Sequence, residues 1–265
     1  MAGRVTTKRK PPAAALAALA LYFYGVTRTG AGPISAEGVD GIAAVEALPF
    51  DGLVCWMSRV GRSEYADGLT ENMENLEWLA AASVRHQRVV GEIAARAAIL
   101  PARFGTVFLS EASLEAHVRK HKRSLLAAFR RIADADEWGI KVFAMSSRQS
   151  SALNAASGTE YLRRKAAARK TSRGVLDPEV RKFAQALRRV AQHSAAGGKV
   201  SGGQRDLEWQ ASFLLRRSRQ KQWRAVLDRF AARWQKSRRI ECSGPWPPYS
   251  FVSTNGSKWR LTRMT

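Results

Sequence analysis

Glu137-Trp138-Gly139-Ile140-Lys141-Val142-Phe143-Ala144 alternates along its length, placing Trp138, Ile140 and Val142 on one face of a strand. The elements downstream of this strand set the fold. A helix is expected over about Thr159–Lys170. A second starts at Asp177-Pro178, a capping residue followed by a proline at the first helical position. In that second helix Val180, Phe183, Leu187 and Val190 face inward, and Arg181, Lys182, Arg188 and Arg189 face out. Gly197-Gly198 and Gly202-Gly203 bracket a turn or short strand. Trp209, Ala211, Phe213 and Leu215 alternate as a strand. A last helix spans about Arg219–Gln235, with Trp223, Leu227, Phe230 and Trp234 as its stripe, and Arg239–Ser243 is a short final strand. The order is β, interrupted α, β, β, α, β, which is that of a ferredoxin-like split βαβ unit. The prolines after Gly244 are expected to end regular structure.

Upstream of Trp138 the pattern differs. Leu21–Val26 reads as a first strand, and Thr29–Gly38, rich in Gly, Ala, Pro and Ser, reads as a loop. Ile42–Ala47 and Leu53–Val60 are expected as two strands joined at Pro49-Phe50-Asp51-Gly52. A long helix is expected from Glu71 to Ala98, with Leu76, Leu79, Ser83, His86, Val90, Ile93 and Ala97 recurring at steps of three and four. Another runs from Glu111 to Ile132 on the stripe Leu114, Val118, Leu125, Phe129 and Ile132. The chain thus reads as α+β with two domains. A basic N-terminal lead covers 1–20, an N-terminal mixed α/β domain 21–136, a ferredoxin-like C-terminal domain 137–248 and a tail 249–265. Ser146–Ser157, small and polar, is the other place considered for the boundary.

Lys+Arg number 44 and Asp+Glu 22, for a formal charge of +22. Residues 1–150 hold 19 basic and 15 acidic side chains, so the excess sits in the second half. Such a field favours acidic partners, nucleic acid among them, although a solvated basic surface gives the same composition. Cys55 and Cys242 are too few for a disulfide scaffold and are expected as buried free thiols in a reducing cytoplasm. No stretch approaches the roughly 18 apolar residues of a membrane span. Lys8-Arg9-Lys10 before Ala13–Tyr24 imitates a secretory signal, but Tyr22, Phe23, Tyr24 and Val26 are strand formers, so the run reads as a basic lead into the first strand.

Catalytic spacings are absent: there is no G-x-S-x-G, H-E-x-x-H, P-loop or dinucleotide fingerprint, and no cofactor is expected. His86 lies on an inner helical stripe and reads as a core histidine with a hydrogen-bond partner, since no other metal-type ligand has a recognisable spacing to it. His117 and His121 could chelate at i,i+4, but their basic neighbours disfavour a cation. Arg103-Phe104-Gly105-Thr106-Val107-Phe108 partly mimics an RNA-binding signature. It lacks the glycine after its basic residue, and Thr106 replaces an aromatic. It is expected to make a turn into a buried strand, with Arg103 anchoring loop carbonyls or a carboxylate. Pro245-Trp246-Pro247-Pro248 is stiff and suits clamping the tail to the body.

Six blocks, in order over about residues 21–251, resemble the gas vesicle protein family GvpF/GvpL. They are Leu21-Tyr22-Phe23-Tyr24-Gly25, His86-Gln87-Arg88-Val89-Val90, Leu100-Pro101-Ala102-Arg103-Phe104-Gly105-Thr106-Val107-Phe108, Glu137-Trp138-Gly139-Ile140-Lys141-Val142, Ser157-Gly158-Thr159-Glu160-Tyr161-Leu162 and Gly244-Pro245-Trp246-Pro247-Pro248-Tyr249-Ser250-Phe251. The resemblance implies a modified ferredoxin fold for the second domain, with the C-terminal tail returning to the first. It also implies a cytoplasmic, non-enzymatic accessory role in the gas vesicle. The partners would be the hydrophobic shell protein GvpA and other accessory Gvp proteins, with aggregation limited and nucleation and assembly assisted. Tyr22, Tyr24, Gly25, His86, Leu100, Pro101, Arg103, Phe104, Gly105, Thr106, Trp138, Gly158, Tyr161, Leu162, Gly244, Pro245, Pro247, Pro248, Tyr249 and Phe251 match the family signature, and read bottom-up they look structural. A nucleic-acid-binding module using the basic second half is the alternative, with contact there expected to be nonspecific.

Overall fold

The computed structural model describes residues 18–145, 176–197 and 206–252. It is a mixed α/β structure with two antiparallel sheets. Its described residues fall into two compact units, residues 18–132 with 247–252, and residues 133–145, 176–197 and 206–246. The expected segment boundaries stand at 136/137 and 248/249; the units divide at 132/133 and 246/247.

In the first unit, β1 (Leu19–Thr27) is the centre of a sheet ordered β2 (Glu46–Phe50), β3 (Leu53–Gly61), β1, β4 (Ile99–Pro101), with β5 (Val107–Phe108) also paired to β1. Both faces of β1 and β3 are buried, so they read as nearly continuous apolar runs rather than strict alternation. One face carries Tyr22, Tyr24 and Trp56 against α1 (Leu76–Arg96), which turns Ala82, His86, Val89, Val90 and Ile93 inward. Toward the other face, Phe23 meets Phe108, which meets His117 of α2 (Glu111–Ile132). The periodicity of α2 is strong enough that both its bounds and its five-residue stripe stand as expected.

Two expectations here are corrected. Residues 42–45 are not strand: the Asp40 carboxylate accepts from the backbone of Ile42 and Ala43, Gly38 N–H bonds to Ala43 O, and Ile42 is left 87% exposed. A side chain that satisfies its own backbone offers an alternative to a ladder. The helix expected from Glu71 is broken. A short turn over Leu69–Asn72 ends at Met73, and Asn75 then caps α1 by accepting from the backbone of Glu77 and Trp78. Such a cap is worth about 1 kcal/mol and resets the helix start, leaving Leu76 on the solvent side.

The second unit is ordered β7 (His193–Ala196), β8 (Leu207–Arg216), β6 (Ala135–Ala144), β9 (Arg238–Trp246), all antiparallel. Helices α3 (Pro178–Val190) and α4 (Gln220–Trp234) pack Phe183, Leu187, Trp223, Phe230 and Trp234 onto Ile140, Val142, Phe213 and Leu215. Asp177 caps α3 as its Asp-Pro start requires. A short helix α5 (Tyr249–Val252) comes after β9 in the chain and belongs to the first unit. The prolines do not end regular structure where expected. β9 continues through Gly244, a cis Gly244-Pro245 bond and Trp246, because an edge strand tolerates a residue without an N–H. That same edge position overturns the expectation for Cys242, which is exposed; Cys55, on central β3, is buried. Gly158, Tyr161, Leu162, the helix expected over 159–170 and Gly198, Gly202 and Gly203 lie outside the described residues.

Candidate functional site

The signature residues of the first unit converge on His86. Tyr22 reaches it from β1, one turn of α1 presents it to the sheet, and Tyr249 reaches it from α5. The Tyr22 Oη stands 3.1 Å from His86 Nδ1, and the Tyr249 Oη stands 3.1 Å from Nε2. Gly105 N–H donates to the Tyr22 Oη at 3.0 Å. That leaves the Tyr22 proton for Nδ1, so the ring proton belongs on Nε2 and is donated to Tyr249. This tautomer gives Gly105 N–H, the Tyr22 hydroxyl and both ring nitrogens a partner.

Burial lowers the His86 pKa from 6.5 to about 4, and burial raises that of Tyr22. Protonating the ring would also force Nδ1–H against the Tyr22 hydroxyl. The histidine is therefore neutral, with both nitrogens occupied, and neither is open to a metal. Phe104 packs edge-on to both Tyr22 and His86. Beside them Tyr24 donates to Ser58 and accepts from Val39 N–H at 2.8 Å, while Tyr65 donates to Val39 O. Burial raises the Tyr24 pKa to about 12.

The backbone around this cluster explains the glycines. Gly25 sits at a bulge in β1 with φ of 149°, and a Cβ there would stand 2.5 Å from Leu100 O. Leu100 and Pro101 pair with β1 at that point. Gly105 has φ of 78° in the turn between β4 and β5, which aims its N–H at Tyr22. Thr106 closes the turn onto Arg103 O. The Arg103 side chain itself is exposed and, among the described residues, makes no hydrogen bond or ion pair; the expected anchoring of a carbonyl or carboxylate is not seen. Phe251 O accepts two bonds from Arg131 of α2, at 3.1 and 2.6 Å. Pro248 is buried and Pro247 half-buried.

In the second unit Trp138 and Gly244 meet across β6 and β9, where a Cβ on Gly244 would stand 2.8 Å from Glu137 O and 3.1 Å from the Trp138 ring. The structure thus brings together Tyr22, His86, Phe104, Gly105 and Tyr249 in one cluster, and sets Trp138 against Gly244 in another place. Tyr65, Ser58 and Val39 complete the first cluster and were not legible as such. Tyr65 sits in a π-type turn over Ser63–Asp67 with no periodic pattern, and Val39, in a loop, adds two backbone bonds to a side chain buried in the same core. Among the described residues no group of three His, Cys, Asp or Glu side chains could hold a metal, and no helix is long and apolar enough to cross a membrane.

A family model described as "Gas vesicle synthesis protein GvpL/GvpF" matches residues 20–253. The chain belongs to that family. Gas vesicle protein L of Streptomyces sp. (strain CB03234) is 29% identical over 248 residues, 87% of this chain and 92% of that protein. The fold is similar to that of GvpF from Anabaena sp. PCC7120, with a TM-score of 0.65 at 18% identity over 91% of this chain and 98% of the other. It is also similar to GvpF from Microcystis aeruginosa, with a TM-score of 0.61 at 18% identity over 89% and 99%. The GvpL/GvpF proteins are a gas vesicle family and not a known enzyme family.

Proposed function

We propose that the chain is a cytoplasmic accessory protein of gas vesicle formation. It binds the hydrophobic shell protein GvpA and other accessory Gvp proteins, limits their aggregation and assists nucleation and assembly. The observation that carries this reading is the family match across residues 20–253. The chemistry of the signature supports the non-enzymatic part of it. His86 is neutral with both nitrogens hydrogen-bonded, and Tyr22, Tyr24 and Gly105 are committed to internal bonds, so the signature residues act as scaffold.

In this reading residues 137–248 form a modified ferredoxin-like domain. The succession β6-α3-β7-β8-α4-β9 and the strand order β7-β8-β6-β9 support it. Residues 249–252 serve as a clasp on the N-terminal domain. A shell subunit prone to aggregate needs a partner that covers apolar surface or caps a strand edge. β9 has nine residues and an outer edge unpaired among the described residues, with Trp246 49% exposed at its end, and it suits strand addition.

Co-expression with GvpA tests the proposal. More GvpA should remain soluble, and the two should co-purify. Absence of any association, with or without the other accessory proteins, would sink it.

A further inference from the structure

The outward face of α1 is the most apolar exposed surface among the described helices. Leu76 is 79% exposed and Val84 58%, and Ala80, Ala81, Gly91 and Ala95 share the solvent side with them. At 100° per residue these six fall on one arc, opposite the buried Ala82, His86, Val89 and Ile93. The turn carrying the exposed Ile42 lies against the same helix, through the contact of Gly41 and Val39 O with Arg85.

Gly91 is the informative member. A glycine inside a 21-residue helix is less favourable than alanine, and no neighbouring atom lies within 4 Å of where its Cβ would stand. Nothing among the described residues requires the missing side chain. A bulky group arriving from outside would.

The arc carries just two charges, Glu77 and Arg88, and neither has an ion-pair partner among the described residues. They are eleven residues apart, about 16 Å along the axis and nearly on one line. Opposite signs at the two ends of an apolar strip make the strip complementary to itself when a second copy is turned antiparallel. Glu77 then meets the second copy's Arg88, and Arg88 meets the second copy's Glu77. Ala81 and Val84 lie astride the two-fold axis, and Leu76 comes level with residue 89 of the second copy, about 3 Å along the axis from its Gly91.

We propose that this face of α1 is a two-fold contact between copies of the chain. It is isologous, with antiparallel helices and two reciprocal Glu77–Arg88 pairs. A single helix face lies at the low end of interface sizes, so the dimer is weak and concentration-dependent.

Sedimentation equilibrium of the full chain from about 1 to 300 µM should show monomer passing to dimer. Val84→Glu and Gly91→Leu should each raise the dissociation constant at least tenfold without lowering the melting temperature, because both positions are exposed. Glu77→Arg and Arg88→Glu should each weaken the dimer, and the two together should restore it. A chain that stays monomeric throughout the range overturns the proposal. So does a dimer indifferent to Val84→Glu, or a charge swap without rescue. If the wild-type chain is monomeric and Val84→Glu abolishes co-purification with GvpA, the face belongs to that partner and not to a second copy.

Discussion

The hydroxyl of Tyr249 and Nε2 of His86 stand 3.1 Å apart although 163 residues separate them in the chain. Together with Tyr22 they form one continuous run of hydrogen bonds from β1 through α1 to α5. Every member is buried or half-buried, so each bond matters more through the cost of leaving it unmade than through its net gain.

Tyr249→Phe removes the acceptor of the Nε2 proton at the half-buried end of the run. The expected loss is about 1 kcal/mol in urea unfolding. Tyr22→Phe strands both Gly105 N–H and His86 Nδ1 in a fully buried site and should cost about 2–4 kcal/mol. The double variant should fall short of the sum, because both phenols bond to one ring. Strict additivity would contradict the coupled run.

His86 gives the fold a pH dependence. Its pKa is about 4 in the folded protein and 6.5 for the ordinary group, so between these values the unfolded chain binds more protons. Its contribution is fully present above pH 6.5 and is lost as pH falls toward 4, by about 3 kcal/mol at most. His117, lowered to about 4 by burial and by the charges of His121 and Lys120, acts in the same direction. Stability measured from pH 7 to 5 should fall in the native chain and fall less steeply in His86→Gln.

Gly25→Ala should be among the most damaging single changes. The new methyl would stand 2.5 Å from a backbone oxygen of the strand beside it, at a φ that side chains rarely adopt. Separating β4 from β1 is the available relief, at a loss of about 3 kcal/mol or more. A melting temperature within a few degrees of the native chain would refute the bulge as the reason for glycine.

The two thiols should differ in reactivity. Cys242 is exposed on β9, although partial burial of its thiol also raises its pKa, whereas Cys55 is fully buried and its pKa is pushed up to about 12 by burial. One equivalent of a thiol reagent should react with the folded protein and the second only after unfolding. Two fast equivalents would contradict the burial of Cys55.

Much of the fold was legible because its signals are local. The stripe from Leu114 to Ile132 repeats along the whole helix, and the Asp177-Pro178 start combines a cap with a preset φ. Periodicity misled where a side chain or an edge outweighed it. Asn75 divided the helix expected from Glu71, Asp40 held residues 42–45 in a turn, and Pro245 entered a strand since the strand has a free side. For the candidate site, the sequence marked Tyr22, His86, Phe104, Gly105 and Tyr249 as separate motifs, and nothing in their spacing showed that they touch.

The sequence alone determined the alternation of strands and helices, the amphipathic faces, the basic second half and the resemblance to GvpF/GvpL, since each rests on residues near one another in the chain. Tertiary structure alone decided that Tyr22 and Tyr249 close on opposite nitrogens of His86, that Gly25 must lack a Cβ, that Cys242 is exposed and that the apolar side of Leu76 and Val84 looks outward. Those properties depend on which distant atoms arrive beside a residue, and chain separation carries no record of that.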